Sequence, residues 1–179
     1  MNWMKKVAVA LVCLLPLGLQ AAKIDTLQVK SPSMDKSIEV VVVSPDVAAT
    51  KACPVIYLLH GYGGNACTWV GIKPDLPKIA DEKGIFFVCP DGKNTWYWDS
   101  PLNADVRYET FISNELVKYV DSHYKTVADR KGRAITGLSM GGHGAMWNGL
   151  RHSDVFSAAG STSGGVDIRP FPKNWEMSV

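Results

Sequence analysis

The sequence predicts one α/β domain with a mostly parallel sheet and helices on both faces. Residues 55–59 and 85–88 are continuous apolar runs, which are typical of strands buried on both faces of a parallel sheet. Strand-like and helix-like segments alternate after Pro54, and this order favours parallel strands joined by crossover helices. The composition, with 46% hydrophobic and 20% charged residues, is that of an ordinary globular domain.

Apolar spacing and turn residues predict the individual elements. Residues 24–30 and 37–44 are β-rich and are separated by Ser31-Pro32-Ser33, which predicts an antiparallel pair of strands. An amphipathic helix is predicted where apolar residues recur every fourth position, at Tyr108, Ile112, Leu116 and Val120. The other predicted elements are helices at 76–83 and 141–150, strands at 134–136 and 156–159, and a long loop at 91–106.

The first 21 residues predict a secretory signal peptide, so the α/β domain is expected to span residues 22–179. Lys5 and Lys6 precede an apolar stretch at 7–19, and Ala21 offers a small residue at a cleavage point. The apolar stretch is shorter than the ~20 residues of a membrane-spanning helix. A buried N-terminal helix is the alternative. We therefore expect a secreted or periplasmic protein without stable membrane association.

Charge and cysteine content limit the possible partners. Loss of the first 21 residues would remove two lysines and no acidic residue, which changes the net charge from +2 to 0. Without basic clusters, the mature chain has no electrostatic reason to bind nucleic acid.

Cys53, Cys67 and Cys89 match no zinc spacing and are interpreted as small buried residues, with a Cys67–Cys89 bridge left open. No metal or cofactor is predicted, and the oligomeric state stays open.

The strongest chemical signal is the pattern G-x-S-x-G at residues 137–141, between a predicted strand and a predicted helix. In such a turn the serine backbone is strained, and only residues without a Cβ are expected to fit at Gly137 and Gly141. The turn presents the Ser139 hydroxyl to a substrate, and the start of the following helix adds free N–H groups and partial positive charge. Ser139 is therefore the predicted nucleophile; a chance glycine-rich turn is the alternative.

A second glycine-rich motif, HGYGG, occupies residues 60–64 directly after a predicted strand. Acyl transfer places negative charge on the carbonyl oxygen of the substrate, and two preorganised backbone N–H groups can stabilise that charge. One donor is predicted at Met140, directly after the nucleophile, and the other at Tyr62 in the glycine-rich loop. A flexible loop or a phosphate cradle is the alternative, although the glycine spacing fits neither common phosphate motif.

Several short motifs resemble, in the same order, the esterase family of S-formylglutathione hydrolase (esterase D), feruloyl and acetyl-xylan esterases, and the antigen 85 mycolyltransferases. The motifs are residues 59–64 (LHGYGG), 90–92 (PDG), 96–97 (WY) and 139–142 (SMGG), and the resemblance extends over residues 36–179. It implies an α/β-hydrolase fold, a Ser-His-Asp triad with Ser139 as nucleophile, oxyanion donors at Tyr62 and Met140, and ester substrates.

The resemblance leaves several activities open. A secretion signal fits poorly with formylglutathione, a cytosolic metabolite, and better with an exported esterase that acts on acyl groups of polysaccharides; small-molecule esters are also possible substrates. The alternatives are an acyltransferase of the antigen 85 type, a serine peptidase and a non-catalytic glycan-binding remnant.

None of the four histidines fits the role of catalytic base. In this fold the triad acid and base follow the serine along the chain. His60 belongs to the oxyanion loop, His143 should point away from the hydroxyl, His152 closes a helix and His123 should be solvated. We therefore expect the triad Asp and His, with the C-terminal part of the fold, to lie beyond residue 179, and this chain alone to be inactive.

The long loop at 91–106 carries Trp96, Tyr97 and Trp98, which are predicted to bind substrate. Aromatic rings beyond a strand end could stack on a sugar or line an acyl pocket. The alternative is that these rings pin the loop to the core. Asp167, which follows the last predicted strand, is interpreted as a turn residue near the pocket and not as the triad acid.

Overall fold

A computed structural model describes residues 22–167 and residue 169. It contains a six-stranded sheet with the strand order β1-β2-β4-β3-β5-β6. The strands are β1 (Lys23–Ser31), β2 (Lys36–Ser44), β3 (Val55–Leu59), β4 (Phe86–Pro90), β5 (Arg133–Gly137) and β6 (Ala158–Ala159). β1 and β2 pair antiparallel and β2 pairs antiparallel with β4, whereas β4, β3, β5 and β6 run parallel. The predicted antiparallel pair and the predicted parallel strands are both confirmed.

The helices are α1 (Thr68–Ile72), α2 (Leu76–Lys83), α3 (Tyr108–Thr110), α4 (Val117–His123) and α5 (Met140–Arg151), with three-residue or four-residue 3₁₀ turns at Pro32–Met34, Asp46–Ala49 and Arg130–Gly132. A π-helical stretch, Phe111–Leu116, joins α3 to α4. The predicted amphipathic helix is therefore continuous but winds more widely in its middle. Its apolar residues recur every four positions, which exceeds the 3.6 residues of an α-helical turn, and all four are buried.

Two hydrophobic cores lie on opposite faces of the sheet. Along β2, Val40 and Val42 belong to one core, while Val41 and Val43 belong to the other, because successive side chains of a strand point to opposite faces. The first core also contains residues of α3, α4 and α5, and the second contains residues of α2. This double burial explains why the central strands are continuous apolar runs.

The cysteine interpretation is correct for two residues and wrong for one. Cys53 and Cys89 are buried, but Cys67 is exposed, because it lies on the surface at the start of α1. All three thiols are free, so the structure contains no Cys67–Cys89 bridge. Within the described residues, no helix is long and apolar enough to cross a membrane. The predicted signal peptide, residues 1–21, lies outside the described residues.

Glu109 ties the helix at 108–123 to the end of α5. Its carboxylate accepts hydrogen bonds from Arg151 Nε at 2.8 Å, from Trp147 Nε1 at 2.6 Å and from the His152 ring at 2.8 Å. Burial alone would raise the pKa of Glu109, but these hydrogen bonds outweigh burial and lower that pKa. Because the folded pKa lies below the unfolded value, the ionised carboxylate stabilises the fold at neutral pH.

We expect Glu109→Gln to lower the free energy of unfolding by about 2 kcal/mol at pH 7. The difference from the parent should shrink as the pH falls below about 4.3 and through the lowered folded pKa, since the parent then loses the same charge. Urea unfolding at several pH values measures this. Glu82→Gln, which removes an exposed partner of Lys78, is the control and should change stability by less than about 0.5 kcal/mol. A pH-independent loss in Glu109→Gln would contradict the prediction.

Candidate active site

Ser139 occupies the sharp turn between β5 and α5. Its backbone adopts φ 51° and ψ −116°, and its side chain is exposed at the C-terminal end of β5. The turn is held by hydrogen bonds from the Ser139 amide to the Thr162 carbonyl, at 2.9 Å, and from the Gly141 amide to the Leu138 carbonyl, at 2.8 Å. A positive φ at a non-glycine residue costs of order 1–3 kcal/mol. The surrounding bonds therefore maintain a strained backbone that presents a hydroxyl to solvent.

The two glycines of the pattern allow the turn to pack against its neighbours. A Cβ at Gly137 would lie 2.4 Å from the carbonyl carbon and oxygen of Gly141, and one at Gly141 would lie 2.2 Å from the Leu59 carbonyl oxygen. Both contacts are to backbone atoms, which cannot move aside by changing rotamer. The crowding expected from the sequence is present at both positions. The absence of side chains there allows the start of α5 to pack directly against the end of β3.

The glycine-rich loop at 60–64 passes directly beside this turn. A Cβ at Gly61 would lie 3.5 Å from Ser139 Cβ and 2.8 Å from Leu138 Cδ1. Tyr62, the next residue, has an exposed side chain, and Met140 is the first residue of α5. Amides of a first helical turn have no intrahelical acceptor. The structure thus brings the loop that contains Tyr62 to the turn that contains Ser139 and Met140.

His60 is buried beneath this loop and has both ring nitrogens engaged. Nε2 accepts a hydrogen bond from the Gly92 amide at 2.9 Å, and Nδ1 lies 2.7 Å from the Gly61 carbonyl oxygen. A neutral imidazole has one donor and one acceptor, so Nδ1 carries the proton and donates to Gly61. The two short contacts of the ring are thus to the backbone, and the buried Asp91 carboxylate lies 3.5 Å from Nε2. Neither ring nitrogen is left for the Ser139 hydroxyl.

His143 is also buried, and its ring packs among aromatic side chains. Nδ1 lies 2.8 Å from the Gly165 carbonyl oxygen, in the loop after β6. Three indole rings surround the imidazole, those of Trp96, Trp98 and Trp147. Burial lowers the pKa of His143, partly offset by the hydrogen bond to Gly165, so the ring is neutral at pH 7. The other ring nitrogen, Nε2, is buried without a hydrogen-bond partner among the described residues, so His143 makes no hydrogen bond to the Ser139 hydroxyl.

The remaining candidates for acid and base are engaged with other partners. His123 is exposed and stacks on Tyr119, and Asp167 is exposed and pairs with Arg169. His152 caps the C-terminal end of α5. Among the described residues, no group of three or more His, Cys, Asp or Glu side chains could hold a metal ion.

The aromatic loop turns its rings inward more than the sequence predicted. Tyr97 is fully buried, Trp96 is 6% exposed and Trp98 is half-buried. The Tyr97 ring fills space that a Cβ at Gly92 or Gly144 would occupy, at 2.1 Å and 2.5 Å. This burial favours the alternative that the rings pin the loop to the core, since a buried ring cannot stack on a sugar. The substrate-binding prediction is retained for Trp98 alone.

Sequence reasoning missed four hydrogen bonds that hold the loop at 60–64 and the turn at Ser139. The Tyr97 hydroxyl accepts from the His60 amide at 2.9 Å and donates to the His60 carbonyl at 3.2 Å. Asn94 Oδ1 accepts from the Gly63 amide at 2.8 Å, and the Thr162 carbonyl holds the Ser139 amide. The paired residues lie 23 to 37 positions apart in the sequence and belong to turns without periodicity. No sequence pattern therefore indicates these contacts.

The family model described as "Putative esterase" matches residues 31–177. The chain belongs to this esterase family. Esterase Rv1288 of Mycobacterium tuberculosis is 32% identical over 123 residues, which cover 65% of this chain and 26% of that protein. The acetyl esterase of Caldicellulosiruptor saccharolyticus is 32% identical over 102 residues, 56% of this chain and 37% of the relative. A solved ferulic acid esterase has a TM-score of 0.73 at 30% identity, covering 87% of this chain and 64% of its own.

These comparisons establish the α/β-hydrolase fold that the sequence motifs implied. This esterase-family chain spans only about a quarter to two-fifths of the two curated relatives. The activity and substrates of the whole protein are accordingly treated as proposals.

Proposed function

We propose that the whole protein is a carboxylic ester hydrolase in which Ser139 is the nucleophile and the amides of Tyr62 and Met140 are the oxyanion donors. The observation that carries this proposal is the left-handed, exposed Ser139 at the end of β5, with the 60–64 loop packed against it. Membership of an esterase family supports ester cleavage as the reaction.

In the proposed reaction, Ser139 Oγ attacks the ester carbonyl carbon while its proton passes to a general base. The carbonyl oxygen becomes an oxyanion that the two amides stabilise, and the C–O bond to the alcohol then breaks as the alcohol takes the proton. Water attacks the acyl-serine by the reverse sequence and releases the acid. The Gly92 amide occupies Nε2 of His60, and Nε2 of His143 is buried and makes no hydrogen bond to the Ser139 hydroxyl or to any other described residue. We therefore place the base, with its acid partner, outside the described residues.

Acyl groups on polysaccharides are the proposed substrates of an exported protein. The pattern of residues 1–21 supports export, and the names of two similar proteins, acetyl esterase and ferulic acid esterase, support small acyl or aryl acyl groups. Trp98, whose ring packs against His143 and Trp147, is only half-buried and keeps part of its aromatic surface for a sugar or an aryl ring.

Release of acid from defined esters tests this proposal. The full protein is incubated with p-nitrophenyl acetate, acetylated xylan and feruloylated arabinoxylan, and the acids are quantified by chromatography. We expect acetate or ferulate release and covalent labelling by a fluorophosphonate probe. Oligosaccharide binding without acid release or labelling would refute the esterase and indicate a glycan-binding protein. Formation of a new ester with added alcohol, in place of free acid, would indicate an acyltransferase.

A further inference from the structure

The direction of the Tyr62 amide depends on what holds the preceding carbonyl. A trans peptide is planar, so the Gly61 C=O and the Tyr62 N–H point in opposite directions. The Gly61 carbonyl oxygen accepts two hydrogen bonds, from the Gly64 amide at 3.0 Å and from His60 Nδ1 at 2.7 Å. These two donors fix the carbonyl, and through the peptide plane they also fix the Tyr62 N–H on the side away from the His60 ring.

Without such donors, the glycines would allow this peptide to rotate. This peptide turns about ψ of Gly61 and φ of Tyr62, and Gly61 tolerates such a turn because glycine reaches left-handed and right-handed conformations about equally. A rotated peptide would direct the Gly61 carbonyl, in place of the Tyr62 N–H, toward the reacting centre. An oxyanion donor is effective only when it is already aimed before reaction.

The His60 ring is itself fixed in the one tautomer that can donate to Gly61. The Gly92 amide donates to Nε2 at 2.9 Å, so Nε2 is an acceptor and the ring proton on Nδ1 is the one donated to Gly61. The Tyr97 hydroxyl binds both the amide and the carbonyl of His60, at 2.9 Å and 3.2 Å. His60 is 1% exposed and Tyr97 is fully buried, so water cannot readily replace either contact.

We infer that His60 is a positioning residue for the esterase reaction: its Nδ1–H holds the Gly61 carbonyl and thereby aims the Tyr62 amide at the ester oxygen. The inference rests on the proposed function, because it deepens the role of the same oxyanion loop. His60 acts through the peptide and does not touch the substrate. Tyr97 supports it by holding the His60 backbone.

Two substitutions at His60 separate this role from general packing. The amide nitrogen of an asparagine would lie about where Nδ1 lies, so His60→Asn keeps a donor for the Gly61 carbonyl. The end of a glutamine would lie about where Nε2 lies, so His60→Gln keeps an acceptor for the Gly92 amide and loses the donor. We expect kcat for p-nitrophenyl acetate to fall about tenfold or more in His60→Gln, with KM changed by less than about twofold. His60→Asn should recover most of kcat.

A milder pair of variants keeps the test valid if a His60 variant folds poorly. Tyr97→Phe removes the hydroxyl that holds His60 and should lower kcat in the same direction, again with little change in KM. Tyr57→Phe is the matched control, since the Tyr57 hydroxyl is buried without a hydrogen-bond partner among the described residues. We expect its kcat and KM to equal those of the parent.

Crystal structures of the two His60 variants give a readout that does not depend on activity. We expect the Gly61–Tyr62 peptide to be rotated in His60→Gln and to keep its parent orientation in His60→Asn. If the parent hydrolyses no ester, the proposed function fails, while the peptide orientation still tests the inference. An unrotated peptide with parent kcat in His60→Gln would overturn it, as would an equal loss of kcat in both variants.

Discussion

Replacing Ser139 by alanine is expected to abolish ester hydrolysis, with a loss of about 10⁴-fold to 10⁶-fold in kcat. The alanine has no Oγ, so no acyl-enzyme can form, and the two proposed oxyanion amides alone accelerate the attack of water only weakly. Covalent labelling by a fluorophosphonate probe should disappear as well. Initial rates with p-nitrophenyl acetate and fluorescence of the labelled protein on a denaturing gel measure both effects.

Ser157→Ala is the matched control for this experiment. Its hydroxyl is exposed just before β6 and bonds the Arg133 carbonyl at 3.0 Å, away from the turn at Ser139. This variant should keep the parent rate and the parent labelling. Continued labelling of Ser139→Ala, at a rate near that of the parent, would show that a different residue is the nucleophile.

Gly141→Ala is expected to destabilise the fold by about 3 kcal/mol or more. The added Cβ would lie 2.2 Å and 2.5 Å from the carbonyl oxygen and carbon of Leu59, and 2.6 Å from the His60 carbonyl oxygen. Because all three atoms belong to the backbone, relief requires α5 to move away from β3. Urea unfolding measures the loss of stability, and expression as insoluble protein would be its extreme form.

Gly71→Ala provides the control for a glycine-to-alanine change. Gly71 lies in α1, is exposed and would have no atom within 4 Å of an added Cβ. An alanine there should raise stability by about 0.4–1 kcal/mol, since it reduces the conformational freedom of the unfolded chain. Equal stability of the two variants would mean that α5 does not pack on β3 as closely as described.

The fold was largely predictable because its central strands are buried on both faces, and such burial leaves a continuous apolar signature in the sequence. The bounds of α2 follow from a local signal as well: Gly84 takes φ 63° and ends the helix where a glycine was expected to end it. The π-helical stretch was not anticipated. Its four-residue spacing is visible in the sequence, but such spacing is also typical of an ordinary amphipathic α-helix.

The turn at Ser139 could also be expected from the sequence, because the crowding at Gly137 and Gly141 is a local property of the motif. The inward packing of Tyr97 could not. The same aromatic chemistry suits a sugar platform and a core, and only contacts with distant residues such as Gly144 decide between them. The hydrogen bonds between the Tyr97 hydroxyl and the His60 backbone likewise join residues that lie 37 positions apart and share no sequence pattern.

At Ser139 the same positive φ that presents the hydroxyl also makes folding less favourable, because the residue carries a Cβ. A glycine there would adopt the same backbone without steric conflict, because it has no Cβ. Selection for robustness alone would therefore favour losing the hydroxyl, and a member of the family that drifted to glycine would remain well folded while chemically inert. A serine at this position is therefore costly for folding, as expected of a side chain that has a use.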